Sequence, residues 1–168
     1  MGRLKTYYYS IIFLFSILSA QSLEGETAPT FFLQDIDKED YFFSKRDSSK
    51  PIYINFFATW CSPCLKELQD ISELEEIYSD VIDILIIDVS TSASLAKPVT
   101  PLSIKDLIEK FDIKSTVLID KYAVVAEMFN INTLPANIFI SKENIIMKDI
   151  RKKIDKSSFI TNIDSLRF

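Results

Sequence analysis

Short apolar runs and amphipathic stretches alternate along this chain, and the alternation predicts strands and helices in turn. Pro51 to Ala58 and Val81 to Val89 are apolar runs rich in β-branched residues, which is typical of buried strands. The second run is almost continuous, as expected of a central parallel strand that is covered on both faces. From Cys64 to Tyr78, apolar residues recur at helical intervals among charged ones. This pattern predicts a strand, an amphipathic helix and a second strand.

The rest of the chain repeats these two patterns on a smaller scale. Further apolar runs predict two hairpins and one more strand, at Phe31–Leu33 with Tyr41–Phe43, at Ile138–Ile140 with Ile145–Met147, and at Thr116–Ile119. Helical spacing predicts three more helices, one capped by Thr100 or Ser103, one over Tyr122–Phe129 with Asp120 as its candidate cap, and one after Asp155. The polar stretches, including Gln21–Thr30 and Ser90–Thr100, are expected to be a surface arm and a loop.

Residues 1–20 have the pattern of an export signal. Two basic residues precede an apolar stretch, Tyr7–Leu18, which is short for a membrane span and ends in small residues. We expect cleavage after Ala20, which would leave residues 21–168 as one mature domain. The leucine three places before that bond is larger than a cleavage site prefers, so an uncleaved N-terminal membrane anchor is the alternative.

Composition and charge narrow the classes of function. A chain of 168 residues with 48% hydrophobic content can bury one good core. A net charge of −5 argues against a broadly basic surface, so nucleic acid is not an expected partner. The two glycines, Gly2 and Gly25, cannot form a glycine-rich phosphate loop, and the absence of histidine removes the usual Ser/His or Cys/His activation of a nucleophile.

The only two cysteines, Cys61 and Cys64, have the spacing of a dithiol redox site. The predicted strand leads into the predicted helix through them, with Pro63 in the first helical turn, where proline is tolerated. Cys61 then lies at the helix N-terminus, where free N–H groups and the macrodipole lower a thiol pKa from about 8.5 to roughly 3.5–7.5. Cys64, one turn further, is placed to resolve a mixed disulfide formed on Cys61.

Two other interpretations of the cysteine pair stay open from these residues alone. A structural zinc site needs about four ligands, and without histidine or further cysteine only carboxylates could complete the set. A purely structural disulfide would close so short a loop that its entropic contribution is small. It would also leave the placement between a strand and a helix unexplained.

Outside the cytoplasm, a redox dithiol either needs an electron source or acts as an oxidant.

Four segments match motifs that occur together in one family. Gly25–Phe31 resembles an opening "G-x-x-AP-x-F", and Asn55–Cys64 is close to the signature "NFWATWCxPC". Val117–Asp120 and Phe129–Pro135 resemble the segments "VLxD" and "F-x-V-x-x-x-P". Together they resemble the thioredoxin superfamily and, within it, the exported thiol-disulfide oxidoreductases of the TlpA/ResA type. The likeness covers most of residues 25–150.

The resemblance implies an α/β fold of the thioredoxin-like type, with a central mixed β-sheet flanked by helices and an N-terminal β-hairpin extension. It implies that Cys61 attacks a disulfide and that Cys64 resolves the product, with no cofactor and no metal. The sequence departs from the family at Phe57, where a tryptophan is usual, and at Asn144, where the hairpin turn usually has a glycine. Neither departure removes chemistry.

The same resemblance assigns supporting roles. Trp60 and Pro63 belong to the signature itself. Pro135 aligns with a cis-proline whose loop faces the cysteines and pairs with an extended substrate segment; an ordinary trans proline is the alternative. Glu67 matches an acidic residue that influences thiol ionisation, and a solvated helix carboxylate is the alternative. Asn55 stands where cytoplasmic thioredoxins have a buried aspartate, so proton handling falls to Glu67 or to water.

The leading functional hypothesis is an exported, periplasmic or otherwise extracytoplasmic thiol-disulfide oxidoreductase that acts as a reductant. By resemblance, its substrates are exported proteins such as apocytochromes c awaiting haem attachment, and its electrons come from a membrane protein of the CcdA/DsbD type. A thiol oxidant and a non-catalytic binding or assembly module are the alternatives. Copper-handling relatives of the Sco type use a CxxxC pair and a distant histidine, and a peroxiredoxin has Thr or Ser where Ala58 stands, so both are disfavoured.

Overall fold

The computed structural model describes residues 22–91 and 103–166, which form seven strands and four α-helices. In chain order these are β1 (Phe32–Asp35), β2 (Asp40–Phe42), β3 (Ile52–Phe57), α1 (Ser62–Tyr78), β4 (Asp83–Asp88), α2 (Ile104–Phe111), β5 (Thr116–Ile119), α3 (Val124–Met128), β6 (Ala136–Ile140), β7 (Ile146–Ile150) and α4 (Lys156–Ser165). The predicted leader, Thr100 and most of the predicted Ser90–Thr100 loop lie outside the described residues. In the described ranges no helix is long and apolar enough to cross a membrane.

The strands form one mixed sheet in the order β2-β1-β5-β4-β3-β6-β7. Its centre is parallel, because β4 pairs in parallel with both β3 and β5. The outer strands are antiparallel and include the two predicted hairpins, β1 with β2 and β6 with β7. The prediction of a central mixed sheet with helices around it and an N-terminal hairpin is therefore confirmed.

Both faces of the sheet are covered, as the continuous apolar run of β4 predicts. Neighbouring side chains of a strand point to opposite faces. On one face, Asn55 of β3 contacts α1, and α1 also packs against α2 and α4. On the other face, the Phe56 ring meets Phe129 at the end of α3, with ring centroids 5.6 Å apart. All six residues of β3 are buried, so this strand lies entirely within the core.

The buried face of α1 differs from the predicted one at three positions. Ile77, expected among the apolar core positions, is 68% exposed. Glu67 and Glu75, expected on the polar face, are buried. The Glu75 carboxylate accepts the backbone N–H groups of Lys114 and Ser115 at 3.0 and 3.1 Å, so a buried acid supplies the acceptors that the turn before β5 requires.

The helix caps follow the predictions in one case and depart from them in another. Ser103 caps α2 in a reciprocal capping box with Asp106. Asp120, however, does not cap α3: the N-cap is Ala123, in a left-handed conformation and without a side-chain cap. The Asp120 carboxylate instead accepts the N–H of Ala126 at 2.8 Å, which satisfies a first-turn donor from outside the helix.

The turn between β6 and β7 explains why an asparagine can replace the usual glycine. Asn144 has a positive φ of 64°, a region that asparagine enters more readily than most residues. Its side-chain oxygen accepts hydrogen bonds from the Arg46 guanidinium, the shorter at 2.7 Å. Arg46 also donates to the carbonyl of Ser141 at 3.2 Å. The side chain thus joins the turn to the segment before β3.

Candidate active site

The cysteine pair lies where β3 ends and α1 begins. After Phe57 the chain makes a tight turn in which the N–H of Cys61 donates to the carbonyl of Ala58 at 2.9 Å. Cys61 is the N-cap of α1, and its Sγ accepts the backbone N–H of Cys64 at 3.3 Å. The two sulfurs are bonded, and the Cα atoms are 5.2 Å apart. The sequence-based placement of Cys61 at a helix N-terminus is confirmed.

The two sulfurs differ in environment. Cys61 is 5% exposed and Cys64 is completely buried, while the two residues between them, Ser62 and Pro63, are exposed. An N–H group and the positive end of the helix dipole face the Cys61 sulfur, and both stabilise a thiolate. Of the two cysteines, Cys61 is thus the one with some exposure and with a thiolate-stabilising environment.

A buried carboxylate lies one turn beyond Cys64. Glu67 is 1% exposed, so the interpretation as a solvated helix carboxylate is wrong. Its Oε1 accepts the side-chain amide of Asn137 at 3.2 Å and the backbone N–H of Ile154 at 2.6 Å. Its Oε2 accepts the side-chain amide of Asn55 at 3.1 Å. Three elements of the fold, β3, β6 and the segment before α4, therefore converge on this acid.

The pKa of Glu67 lies in the neutral range. Burial raises the pKa of Glu67 from 4.5 to about 7, and the hydrogen bonds from Ile154, Asn137 and Asn55 and the charge of Lys153 oppose that rise. Both ionisation states are consequently populated near neutral pH. A carboxyl with such a pKa can give or take a proton during thiol chemistry.

Two residues that the sequence did not single out complete the buried network. The Tyr53 hydroxyl donates to the side-chain oxygen of Asn137 at 2.5 Å, and the Asn55 amide lies 3.3 Å from the Tyr53 oxygen. Asn137 is completely buried in β6. The sequence feature that could have indicated Asn137 is its polar amide within an apolar strand, because a buried amide needs hydrogen-bond partners. The Asn137 oxygen thus accepts from Tyr53 and from Asn55, while the Asn137 and Asn55 amides donate to Glu67.

The turn before Cys61 is held by Ser90, two residues after the end of β4, a contact that the sequence did not predict. The N–H of Thr59 donates to Ser90 Oγ at 2.8 Å, and the Trp60 indole N–H lies 3.4 Å from the Ser90 carbonyl. The N–H of Ser90 donates to Asp88 Oδ1 at 3.0 Å, and the Ser90 hydroxyl donates to the same oxygen. The signal was an aspartate that ends an apolar strand at the carboxyl edge of a parallel sheet.

Asp88 is itself buried, with 1% exposure. Burial raises its pKa from 3.8 to about 6; the bonds from Ser90 oppose the rise, and the charge of Asp120 adds to it. The site therefore has a second acid with a raised pKa, on the strand next to the one that leads to Cys61.

Pro135 lies at the same edge of the sheet. The Leu134–Pro135 bond is cis, so the trans alternative is wrong. The next residue, Ala136, pairs with Phe56, which precedes the active-site turn by two residues. The proline loop and the turn that leads to Cys61 are thus neighbours. Trp60, half-buried, belongs to that turn.

In the described part of the chain, no three Cys, Asp or Glu side chains are grouped closely enough to bind a metal ion. The zinc interpretation therefore lacks ligands in residues 22–91 and 103–166.

Comparison with known proteins places the chain in a family. Residues 25–149 match the model of the AhpC/TSA family, which is well over half of the chain. The chain belongs to the AhpC/TSA family. Over 144 residues this AhpC/TSA protein is 27% identical to the thiol-disulfide oxidoreductase ResA of Geobacillus kaustophilus, an alignment that covers 85% of the chain and 78% of the relative.

Solved structures agree with this placement at the level of fold. A Chlorobium tepidum protein assigned as a thiol:disulfide interchange protein DsbE superposes with a TM-score of 0.72 at 15% identity, covering 85% of this chain and 96% of that one. A secreted Mycobacterium tuberculosis disulfide oxidoreductase homologous to E. coli DsbE gives 0.68 at 14% identity, covering 81% and 96%. The fold is thioredoxin-like. The chain is a thiol-disulfide oxidoreductase similar to ResA, with the Cys61–Cys64 pair as its redox disulfide.

Proposed function

We propose that this protein reduces disulfides in exported proteins outside the cytoplasm, with Cys61 as the nucleophile and Cys64 as the resolving thiol. The observation that carries the proposal is the arrangement around the pair: Cys61 at the start of α1, Cys64 completely buried behind it, and Glu67 buried one turn further with a pKa of about 7. Nucleophile, resolving thiol and proton carrier therefore follow one another along one helix.

The reaction begins with the reduced pair. The Cys61 thiolate attacks one sulfur of a substrate disulfide, a new S–S bond forms, and the other substrate sulfur leaves as a thiolate that takes up a proton. Cys64 then loses its proton and attacks the Cys61 sulfur, which breaks the mixed disulfide and releases the second substrate thiol. Two electrons pass to the substrate, and Cys61 and Cys64 end as the disulfide.

Glu67 is the proton acceptor that we assign to the second step. Cys64 is buried and must lose its proton before it can attack, and a buried thiol ionises with difficulty in the absence of a base. Glu67 is three residues from Cys64 on α1, a spacing that puts both side chains on one face of the helix. With a pKa of about 7, its ionised form is available to take the proton and its acid form to return it.

The location that we propose rests on the N-terminal sequence and on an exported structural neighbour, and the partners rest on the resemblance to exported TlpA/ResA-type oxidoreductases. We propose that residues 1–20 direct export or act as an anchor, because they have a signal-like pattern, and the secreted M. tuberculosis relative supports an extracytoplasmic site. There the couple needs an electron supply, for which we propose a membrane donor of the CcdA/DsbD type. Apocytochromes c awaiting haem attachment are the substrates that we propose.

A trapping experiment tests the proposed reaction. In Cys64→Ala the nucleophile remains and the resolving thiol is gone, so a mixed disulfide with Cys61 should accumulate. The probe is a synthetic peptide with an intramolecular disulfide in a Cys-x-x-Cys-His segment, and the matched control is Cys61→Ala. The proposal predicts a stable adduct with Cys64→Ala alone. Equal yields from both variants, or no adduct from either, would favour a non-catalytic binding module instead.

A further inference from the structure

We propose that Asp88 and Ser90 are positioning residues for the redox pair: the Asp88 carboxylate fixes the Ser90 side chain, and Ser90 fixes the turn that presents Cys61. Protonation of Asp88 would loosen this turn and make the active site sensitive to pH. The proposal rests on the thiol-disulfide chemistry of the pair and is independent of which substrate the pair reduces.

The first step of the argument is the orientation of one hydroxyl. A serine hydroxyl has one proton to give and two lone pairs to offer. Ser90 gives its proton to Asp88 Oδ1, and its backbone N–H donates to the same oxygen at 3.0 Å. The Ser90 lone pairs are thereby left to accept the N–H of Thr59, which lies 2.8 Å away. The carboxylate therefore determines which way Ser90 bonds.

The second step is the position of the turn relative to the sheet. The ladder between β3 and β4 continues as far as Phe57 opposite Asp88, and the N–H of Val89 still reaches the Phe57 carbonyl at 3.0 Å. Beyond this point the ladder ends. The hydrogen bond from the Thr59 N–H to Ser90 Oγ then links the segment after β3 to the segment after β4. Cys61 is two residues further on, so a shift of Thr59 is passed directly to the N-cap of α1.

The third step is the state of the carboxylate. Asp88 is 1% exposed, and its Oδ2 has no hydrogen-bond partner among the described residues. In that part of the chain, the charged group that acts on it is Asp120, the residue after β5, whose carboxylate accepts the N–H of Ala126. Burial raises the Asp88 pKa to about 6, so the acid changes its charge near that pH. Hydrogen bonds to a carboxylate are stronger than those to a neutral acid, so protonation weakens the hold on Ser90.

The chain contains a reporter for this event, because Trp60 is its only tryptophan and lies in the turn. Its indole N–H points to the Ser90 carbonyl at 3.4 Å. In the oxidised wild-type protein, Trp60 fluorescence should change with pH around a midpoint near 6, as Asp88 titrates. Asp88→Asn removes the titrating group, and Ser90→Ala removes the link to the turn, so the transition should be lost in both variants.

Two controls separate this effect from other titrations. Asp83→Asn makes the same substitution at the far end of β4 and should keep the transition near pH 6. Glu67→Gln removes the acid whose pKa is raised to about 7 and should also keep it. A transition that persists in Asp88→Asn, or that disappears in Glu67→Gln, would overturn the assignment to Asp88.

The reduced protein provides a second readout that uses no protein substrate. A looser turn weakens the N-cap at Cys61 and moves its thiol pKa towards the free value, so Ser90→Ala should be alkylated more slowly by iodoacetamide at pH 6.5. The thiolate is the form that reacts, so the rate should fall in proportion to the thiolate fraction. An unchanged rate in folded Ser90→Ala would contradict the positioning role, whatever the outcome of the trapping experiment.

Discussion

Replacing Glu67 by glutamine should change how the stability of the protein depends on pH. The folded protein raises the pKa of Glu67 from 4.5 to about 7 because it buries the carboxyl at 1% exposure. A carboxyl whose pKa is raised by folding stabilises the protein fully below its unfolded pKa. That contribution is lost as pH rises through the folded pKa, because the fold must then hold a buried charge.

The size of the effect follows from the two pKa values. Each tenfold change in ionisation corresponds to about 1.4 kcal/mol, so a rise from 4.5 to about 7 amounts to about 3 kcal/mol at full ionisation. Glutamine resembles the protonated acid and carries no charge at any pH. Relative to wild type, Glu67→Gln should therefore gain about 3 kcal/mol of unfolding free energy between pH 4.5 and pH 8.

The assay is urea unfolding of the oxidised protein, followed by circular dichroism at intervals from pH 4.5 to pH 8. The matched control is Glu76→Gln, which neutralises an exposed carboxylate on the same helix and should run parallel to wild type. At each pH, the unfolding free energy of wild type is subtracted from that of the variant. The informative quantity is how this difference varies with pH, because a loss of hydrogen bonds that does not depend on pH cancels out. Parallel curves for wild type and Glu67→Gln would refute the buried, titrating Glu67.

Three further predictions concern the nucleophile, the substrate loop and a cap. In the folded reduced protein near neutral pH, iodoacetamide should modify Cys61 before Cys64, because Cys61 lies at the helix N-terminus; peptide mass mapping that found Cys64 labelled first would reverse the two roles. Pro135→Ala should slow the reduction of a protein disulfide more than that of oxidised glutathione, because the proline loop adjoins the active-site turn; equal slowing would remove the loop from substrate binding. Ser103→Ala should lower the unfolding free energy by about 1 kcal/mol through loss of the capping box, without changing Cys61 alkylation; an unaltered urea midpoint would contradict the cap.

The parts of the fold that the sequence predicts are those determined by local pattern. The apolar runs at β3 and β4 and the helical spacing in α1 indicate elements whose buried faces are visible in the sequence. The Cys61 N-cap and Ser103, one of the two predicted caps of α2, each act on a residue three positions further on, so both could be predicted from local sequence. The cis bond before Pro135 was predicted from the resemblance to a family rather than from the residues themselves.

The parts that could not be predicted depend on contacts between distant residues. Glu67 is buried because Asn137 and Ile154, 70 and 87 positions away, bring their N–H groups to it. Ile77 has helical spacing but faces solvent, while Tyr78 beside it packs against the Phe159 ring of α4. The bond from Ser90 to Thr59 spans 31 positions, and neither residue has a motif that would indicate the contact.

The equilibrium potential of the Cys61/Cys64 couple tests the central claim most directly, because it determines the direction of electron flow. Full-length protein is equilibrated with reduced and oxidised glutathione at fixed pH, and the fraction of free thiol is measured after acid quenching and alkylation. The account of a reductant predicts a potential well below about −200 mV. A potential near −120 mV, in the range of a strong oxidant, would contradict it.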